Sequence, residues 1–254
     1  MKRFIRLLKG FLVLIVLIII TAYITDYNYI LKGIRVVYLT GHTTAFIDDY
    51  VYFENDTIHN TKPQPWPKHN AYNTQEPTEI LNQTNENLET VAFLIFKNDS
   101  LWYEKYASGY GPESFTNSFS MAKSVTVALL GKAIKEGFIK DLEQPLGDFL
   151  PTFKTTEVTL GDLASMASGL DWNEHYTSPF SITARVYYDD DISQTLLKQQ
   201  FKEPAGQAFA YKSGNTQLLA MAIEKAVAMP LAAYASTRFW KPLGFEQAAY
   251  WQLD

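Results

Sequence analysis

An α+β protein behind a separate apolar leader is the fold class this sequence predicts. Three observations carry it. Residues 11–24 form an uninterrupted apolar run. Two short apolar and aromatic segments, VAFLIF and LWYEKY, flank the polar turn KNDS, the pattern of a β-hairpin. Most of the chain beyond that hairpin has helical periodicity, and a hairpin followed by helices points to α+β architecture. At 254 residues with 47% hydrophobic content, the chain can bury a sizeable core, which excludes a disordered protein. A net charge of -5 leaves no basic footprint for nucleic acid. With no cysteine, a disulfide frame, a thiolate nucleophile, a zinc–thiolate site and a cysteine lipid anchor are all excluded.

Lys2, Arg3, Arg6 and Lys9 precede the apolar run FLVLIVLIIITAYI. A charged region leading into such a run is a secretory signal or a membrane anchor. Residues 4–8 and the belt of Tyr23, Tyr27 and Tyr29 extend it to bilayer width. No small-x-small cleavage site follows, so residues 1–25 are read as an uncleaved transmembrane anchor; cleavage would make the protein secreted. The positive end stays in the cytoplasm, placing the rest in the periplasm or at the cell surface. Residues 26–75 are rich in Tyr, Asn, Thr and Asp, with KPQPWP at 62–67, and read as an extracytoplasmic stalk or arm stiffened by proline.

Residues 76–254 hold the main domain. A short helix is expected at 79–88, then the hairpin of 91–96 and 101–106. The stretch 118–137, SFSMAKSVTVALLGKAIKEG, reads as an amphipathic helix. Val125, Leu129 and Ala133 form one stripe, Val127, Leu130 and Ile134 the next, and Gly137 supplies the stop. DLEQPLGDFLP at 141–151 is a loop with a turn of helix. A helix at 159–167 starts on a Thr159/Asp162 capping box and stops at Gly169. SGLDWNEHY at 168–176 is a polar aromatic loop, 192–200 a helix, 204–211 a loop and 216–228 a helix.

Chemistry concentrates at the start of the 118–137 helix. Ser120 lies in its first turn and Lys123 three residues on, where helical neighbours meet. A serine hydroxyl is a weak nucleophile until an adjacent base takes its proton. A helix N-terminus disfavours a nearby cation and favours an oxyanion. A Ser-x-x-Lys match arises by chance roughly once in a chain this long, so the pair also fits a solvated helical lysine beside a structural serine. A third group should protonate the leaving group, and Tyr211, in a loop before a helix, is the candidate. Lys212-Ser213-Gly214 matches a Lys-Ser-Gly box that belongs on a strand, whereas here it runs into a helix. Trp172 and Glu174 are expected to line a substrate cleft, though Trp172 fits a core position equally. There is no Gly-x-Ser-x-Gly to support a nucleophile elbow. His42, His59, His69 and His175 lack metal-ligand spacing. Asp189, Asp190 and Asp191 lack the glycine and glutamate of a calcium loop.

Taken in order, SFSMAKS, DLEQPLGDFLP, TLGDLASMASGLDW, PAGQAFAYKSGNTQLLAMAIEKA and FWKPLGF resemble the serine β-lactamase-like hydrolases related to class C β-lactamases, in their esterase and 6-aminohexanoate-dimer hydrolase branch. The resemblance runs over residues 91–254. It implies a β-lactamase/transpeptidase-like fold: an antiparallel sheet with helices plus a helical subdomain, with the site between them. It implies Ser120 as nucleophile, Lys123 as base and Tyr211 as proton relay, with Ser213 toward the substrate and neither metal nor cofactor. Ser213 stands where many members carry asparagine, which suits the esterase or amidase branch. The family's third box, His or Lys followed by x-Gly on a strand, finds no counterpart before Asp254, so the C-terminal strands are expected to be missing. Two functions are implied. One is a membrane-anchored serine hydrolase cleaving an ester or amide, β-lactams and D-Ala peptides included, through an acyl-serine. The other is a non-catalytic binder of cell-wall peptides, a sensor, or an inactive fragment of such a hydrolase.

Overall fold

The computed structural model describes residues 2–254. Helix α1 (Lys2–Ile24) has 23 residues and no buried side chain. At 1.5 Å per residue it is about 35 Å long, against about 30 Å of bilayer hydrocarbon. By length and composition it is a candidate membrane span.

The stalk expected at 26–75 is not what forms. Helix α2 (Tyr29–Val36) turns back onto the body, and Tyr29, Val36, Val37, Phe53 and Ile58 are buried. Strand β1 (Asn55–Ile58) pairs with a strand at Ala249–Gln252, the last of the chain. The segment is polar on average because only one residue in several is sunk. Those few, such as Tyr29 and Val36 seven apart on one face of α2, dock it to partners distant in sequence.

After α3 (Glu79–Asn87), strands β2 (Ala92–Lys97) and β3 (Ser100–Tyr106) form the expected hairpin, with a bulge at Ile95/Phe96. Its turn residues Asn98 and Asp99 have φ of 51° and 56°, the left-handed pair of a type I′ turn, which Asn and Asp tolerate best after glycine. Residues 67–69 line the outer edge of β3 through Leu101 N–H to the Pro67 carbonyl (2.9 Å) and His69 N–H to the Leu101 carbonyl (2.9 Å). Among the described residues, the strands form two separate two-stranded antiparallel sheets.

Helix α4 (Met121–Lys135) carries Leu129, Leu130 and Ala133 into the core, and Gly137, at φ 80°, ends it as expected. Val127 is exposed and Thr126 is buried instead. The Thr126 hydroxyl can be buried because it donates to the Ala122 carbonyl at 3.1 Å. Helix α5 (Leu160–Ala164) starts on the complete Thr159/Asp162 capping box but stops short of residue 167, where Met166 turns left-handed at φ 60°. Gly169 is therefore no helix stop. A Cβ there would lie 2.0 Å from the Glu203 carbonyl oxygen, so the residue allows two loops to cross. Helices α6 (Ile182–Tyr188) and α7 (Ile192–Leu197) lead to α8 (Ser213–Val227), whose Leu218, Leu219, Ala222 and Ile223 meet α4 and α5 in the core. Helices α9 (Leu231–Ala235) and α10 (Lys241–Leu243), joined through a π turn, and strand β4 (Ala249–Gln252) complete the chain.

Candidate active site

Ser120 occupies the N-cap position of α4, yet its hydroxyl caps nothing. Instead it takes two hydrogen bonds from other side chains. Lys123 Nζ donates at 3.0 Å, one helical turn along, and Tyr211 Oη donates at 2.8 Å from 91 residues away. The Lys123 ammonium also lies 5.3 Å from the Tyr211 ring centroid, within cation–π range. Ser120 is exposed and Lys123 half-buried, so a hydroxyl open to solvent sits beside a partly sheltered amine. The three residues assigned from sequence thus meet at one oxygen.

Tyr211 is aimed by its loop. Ala210 N–H donates to the Met166 carbonyl and Gly206 N–H to the Ala167 carbonyl, both at 2.8 Å. Lys212 Nζ reaches the Leu170 carbonyl at 2.5 Å, so this second lysine serves the loop and leaves Ser120 to Lys123. Beneath, the buried Ser168 hydroxyl donates to Asn215 Oδ1 at 2.5 Å and accepts from Leu170 N–H at 3.2 Å. These bonds tie the 166–170 loop to the first turn of α8.

Glu174 and Ser213 come together, but on each other. The Glu174 carboxylate accepts from Ser213 N–H and Ser213 Oγ, each at 2.6 Å. A carboxylate at a helix N-terminus is favoured by the helix dipole, so Glu174 anchors the loop to α8. It also accepts from the Tyr176 hydroxyl at 2.6 Å. Burial, reinforced by that bond, pushes the Tyr176 phenol up to about 12, so it remains a donor at any physiological pH.

Trp172 does not line a cleft. It is buried in the core because Gly214 leaves room for its ring. A Cβ on Gly214 would meet Trp172 Cε3 at 2.5 Å and Leu170 Cδ2 at 2.8 Å. Gly214→Ala would gain up to about 1 kcal/mol of helix propensity, but overpacking a well-filled core costs about 1–3 kcal/mol. The variant should therefore be less stable by up to about 2 kcal/mol once the full propensity gain is set against the overpacking, measured as a lower urea midpoint with unchanged slope.

Four residues that carry no sequence motif complete the site. Phe119, just before Ser120, adopts φ 45°, a conformation costly for an aromatic residue and typical of a constrained functional turn. It is held by its N–H donating to Asn117 Oδ1 at 2.8 Å. Asn117 Nδ2 in turn donates to Asp49 Oδ1 (3.1 Å) and to the Tyr187 hydroxyl (2.9 Å). Asp49 is fully buried and burial pushes its carboxyl above the usual range.

Among the described residues no cluster of His, Cys, Asp or Glu could hold a metal ion. The Asp189–191 run is engaged elsewhere: Asp189 pairs with Arg185 at 3.3 Å, Asp190 with Lys32 at 2.7 Å, and Asp191 caps α7 through Gln194 N–H.

The Beta-lactamase family model matches residues 78–254. A 6-aminohexanoate-dimer hydrolase of Paenarthrobacter ureafaciens is 26% identical over 187 residues, covering 68% of this chain and 47% of that relative. Protein flp of Staphylococcus aureus (strain COL) is 24% identical over 181 residues, covering 64% and 35%. The chain therefore spans less than half the length of either curated relative. Among solved structures, a Bacillus anthracis protein named as a 6-aminohexanoate-dimer hydrolase superposes with a TM-score of 0.68 at 25% identity, over 80% of this chain and 59% of its own. FmtA from Staphylococcus aureus shares the fold at a TM-score of 0.52 and 22% identity, over 72% and 53%. The matched region includes Ser120, Lys123 and Tyr211, and the chain belongs to the Beta-lactamase family.

Proposed function

We propose that this chain is a membrane-anchored, extracytoplasmic serine hydrolase that cleaves an ester or amide through an acyl-Ser120 intermediate, with Lys123 as base and Tyr211 as proton relay. The observation that carries the proposal is the convergence of Lys123 Nζ and Tyr211 Oη on Ser120 Oγ, at 3.0 and 2.8 Å. In its neutral form Lys123 takes the Ser120 proton as Oγ bonds to the substrate carbonyl carbon. The carbonyl π electrons move to oxygen, near the positive end of α4. When the intermediate collapses, the bond to the leaving oxygen or nitrogen breaks, and that atom takes the Tyr211 hydroxyl proton. Lys123 returns a proton to Tyr211. Water then adds to the acyl carbon, giving up a proton to the same pair, and Ser120 leaves with one restored. Lys123 is within hydrogen-bond reach of the Ser120 oxygen whose proton it takes, and Tyr211 reaches the same oxygen, beside which the leaving atom departs, the first requirement for such roles.

The amide option is supported by the relatives named as 6-aminohexanoate-dimer hydrolases; β-lactams and D-Ala peptides are amides of the same class. The anchoring is supported by the fully exposed apolar face of α1 and by the four basic residues in its first nine.

The direct test is intact mass of the full chain before and after a fluorophosphonate, with fragmentation of the adduct. One adduct mapped to residues 118–123 is the expected result. A folded chain that binds cell-wall peptides but takes no adduct would favour the non-catalytic binder.

A further inference from the structure

A cavity of about 300 Å³ lies between α2, α6 and the loops at 43–45 and 176–179, and nothing in the proposed catalytic chemistry uses it. Its walls are mainly apolar, with Ile34 of α2, Val37 just after it, Ala184 and Tyr188 of α6, and Phe119 and Tyr176 among the lining residues. Those last two join it to the active site. Phe119 precedes the nucleophile in sequence, in its left-handed conformation, and Tyr176 is bonded to the Glu174 that holds Ser213. The volume is at the bottom of the ligand-pocket range, about 300–1,000 Å³, which suits one slender apolar group and is too small for a folded peptide. The walls also adjoin the leader. Tyr29 lines the cavity and comes one short turn after the end of α1 at Ile24. Arg185 of α6 pairs with Asp26 at 2.9 Å and lies 4.6 Å from the Tyr29 ring centroid, fixing the end of α1 to a helix that forms the cavity wall.

We infer that this cavity seats the unbranched alkyl tail of the acyl group that Ser120 accepts, and that the substrate is a membrane-borne ester. The inference rests on the proposed hydrolase activity and specifies its substrate class. An apolar slot lined by Phe119, the residue before Ser120, is placed to take the tail of an acyl group carried on Ser120 Oγ. A site tethered next to the end of a membrane span meets such tails where they are concentrated.

The test uses the full chain in nanodiscs and p-nitrophenyl esters from acetate to octanoate. Burial of one methylene is worth about fourfold in kcat/KM at full desolvation, so a rise of at least about tenfold from acetate to octanoate is expected even with partial burial. Ala184→Phe, which fills the cavity, should flatten that rise. Thr44→Trp, on the exposed loop wall, should do the same and serves if the first variant misfolds. Ser120 labelling by ethyl and octyl fluorophosphonates should show the same length dependence. Labelled Ser120 with a flat series would overturn the tail site and leave the hydrolase reading standing. A rise that persists in both variants would place the tail elsewhere and overturn it too. Absence of any labelling and turnover would remove the hydrolase reading, and this inference with it. Turnover of dissolved octanoate with none of an octanoyl ester carried in phosphatidylcholine vesicles would overturn the membrane-borne source.

Discussion

Ser120→Ala should abolish hydrolysis, lowering kcat by about a millionfold, the usual consequence of deleting a nucleophile that works within a unit. Lys123→Met keeps the side-chain length and removes the basic nitrogen, and should cost about 10²–10⁴-fold, the range of one positioned proton-transfer group. Tyr211→Phe removes only the hydroxyl that donates to Ser120 at 2.8 Å and should fall in that same range. The losses should not multiply. Once Ser120 is gone, neither Lys123 nor Tyr211 has an oxygen to act on, so the triple variant should be no slower than Ser120→Ala alone. Stability supplies the control. Ser120 and Tyr211 are exposed, so their substitutions should shift the unfolding free energy by no more than about 0.5 kcal/mol. A cycle of kcat and urea midpoints for the four variants measures this. Additive kinetic losses would show that the three groups act separately and would sink the shared-proton mechanism.

The parts of this molecule written locally were legible from sequence. The hairpin turn was readable because Asn98 and Asp99 belong to the few residues that accept positive φ. The α4 helix was readable because Leu129, Leu130, Ala133 and Gly137 follow helical spacing and stop chemistry. Ser120 and Lys123 are one turn apart, so their meeting follows from helix geometry alone. Tyr211 is a different case. Its loop context and the family resemblance pointed to it, and the bonds that aim it run to Met166, Ala167 and Leu170. Where contacts are made by isolated residues far apart in the chain, no local pattern marked them. Residues 26–75 looked like a stalk because their average is polar, while Asp49, Phe53 and Ile58 are buried by partners at 117, 187 and 249–252. Trp172 was ambiguous for the same reason, since the deciding feature is the missing Cβ of Gly214. Thr126 and Val127 exchanged their expected places because a hydroxyl bonded to the helix backbone removes the penalty that the periodicity argument assigns to a buried threonine.

Asp49→Ala should be the most damaging substitution outside the three reacting residues. The Asp49 carboxylate is fully buried and accepts from Phe46 N–H at 3.3 Å, Asn117 Nδ2 at 3.1 Å and the Tyr187 hydroxyl at 2.9 Å. Alanine would leave buried donors unpaired at roughly 1–3 kcal/mol each, so a loss of about 2–6 kcal/mol is expected for the two side-chain donors. The effect should reach the active site through Asn117, whose Oδ1 holds Phe119 N–H one residue before the nucleophile. Misplacement of a reacting group by about 1 Å can cost about a hundredfold, so kcat should fall about 10–100-fold, with labelling of Ser120 slowed in proportion. Asp49→Asn keeps an acceptor and should recover part of both losses, and its penalty relative to the parent chain should depend on pH. Burial raises the Asp49 carboxyl above its ordinary value, while in the unfolded chain it titrates near about 3.9. Between those two values the native state binds more protons than the unfolded state, so stability falls as pH rises through the window. The contribution of Asp49 is fullest below the unfolded value and is diminished above the native one. Asparagine has no such titration, and the penalty of Asp49→Asn should therefore be larger at pH 4 than at pH 7. Urea unfolding of both chains at the two pH values measures it. A penalty that grows toward pH 7 would mean that the three donors, rather than burial, govern the carboxylate, and that Asp49 holds the Asn117 turn as an ion.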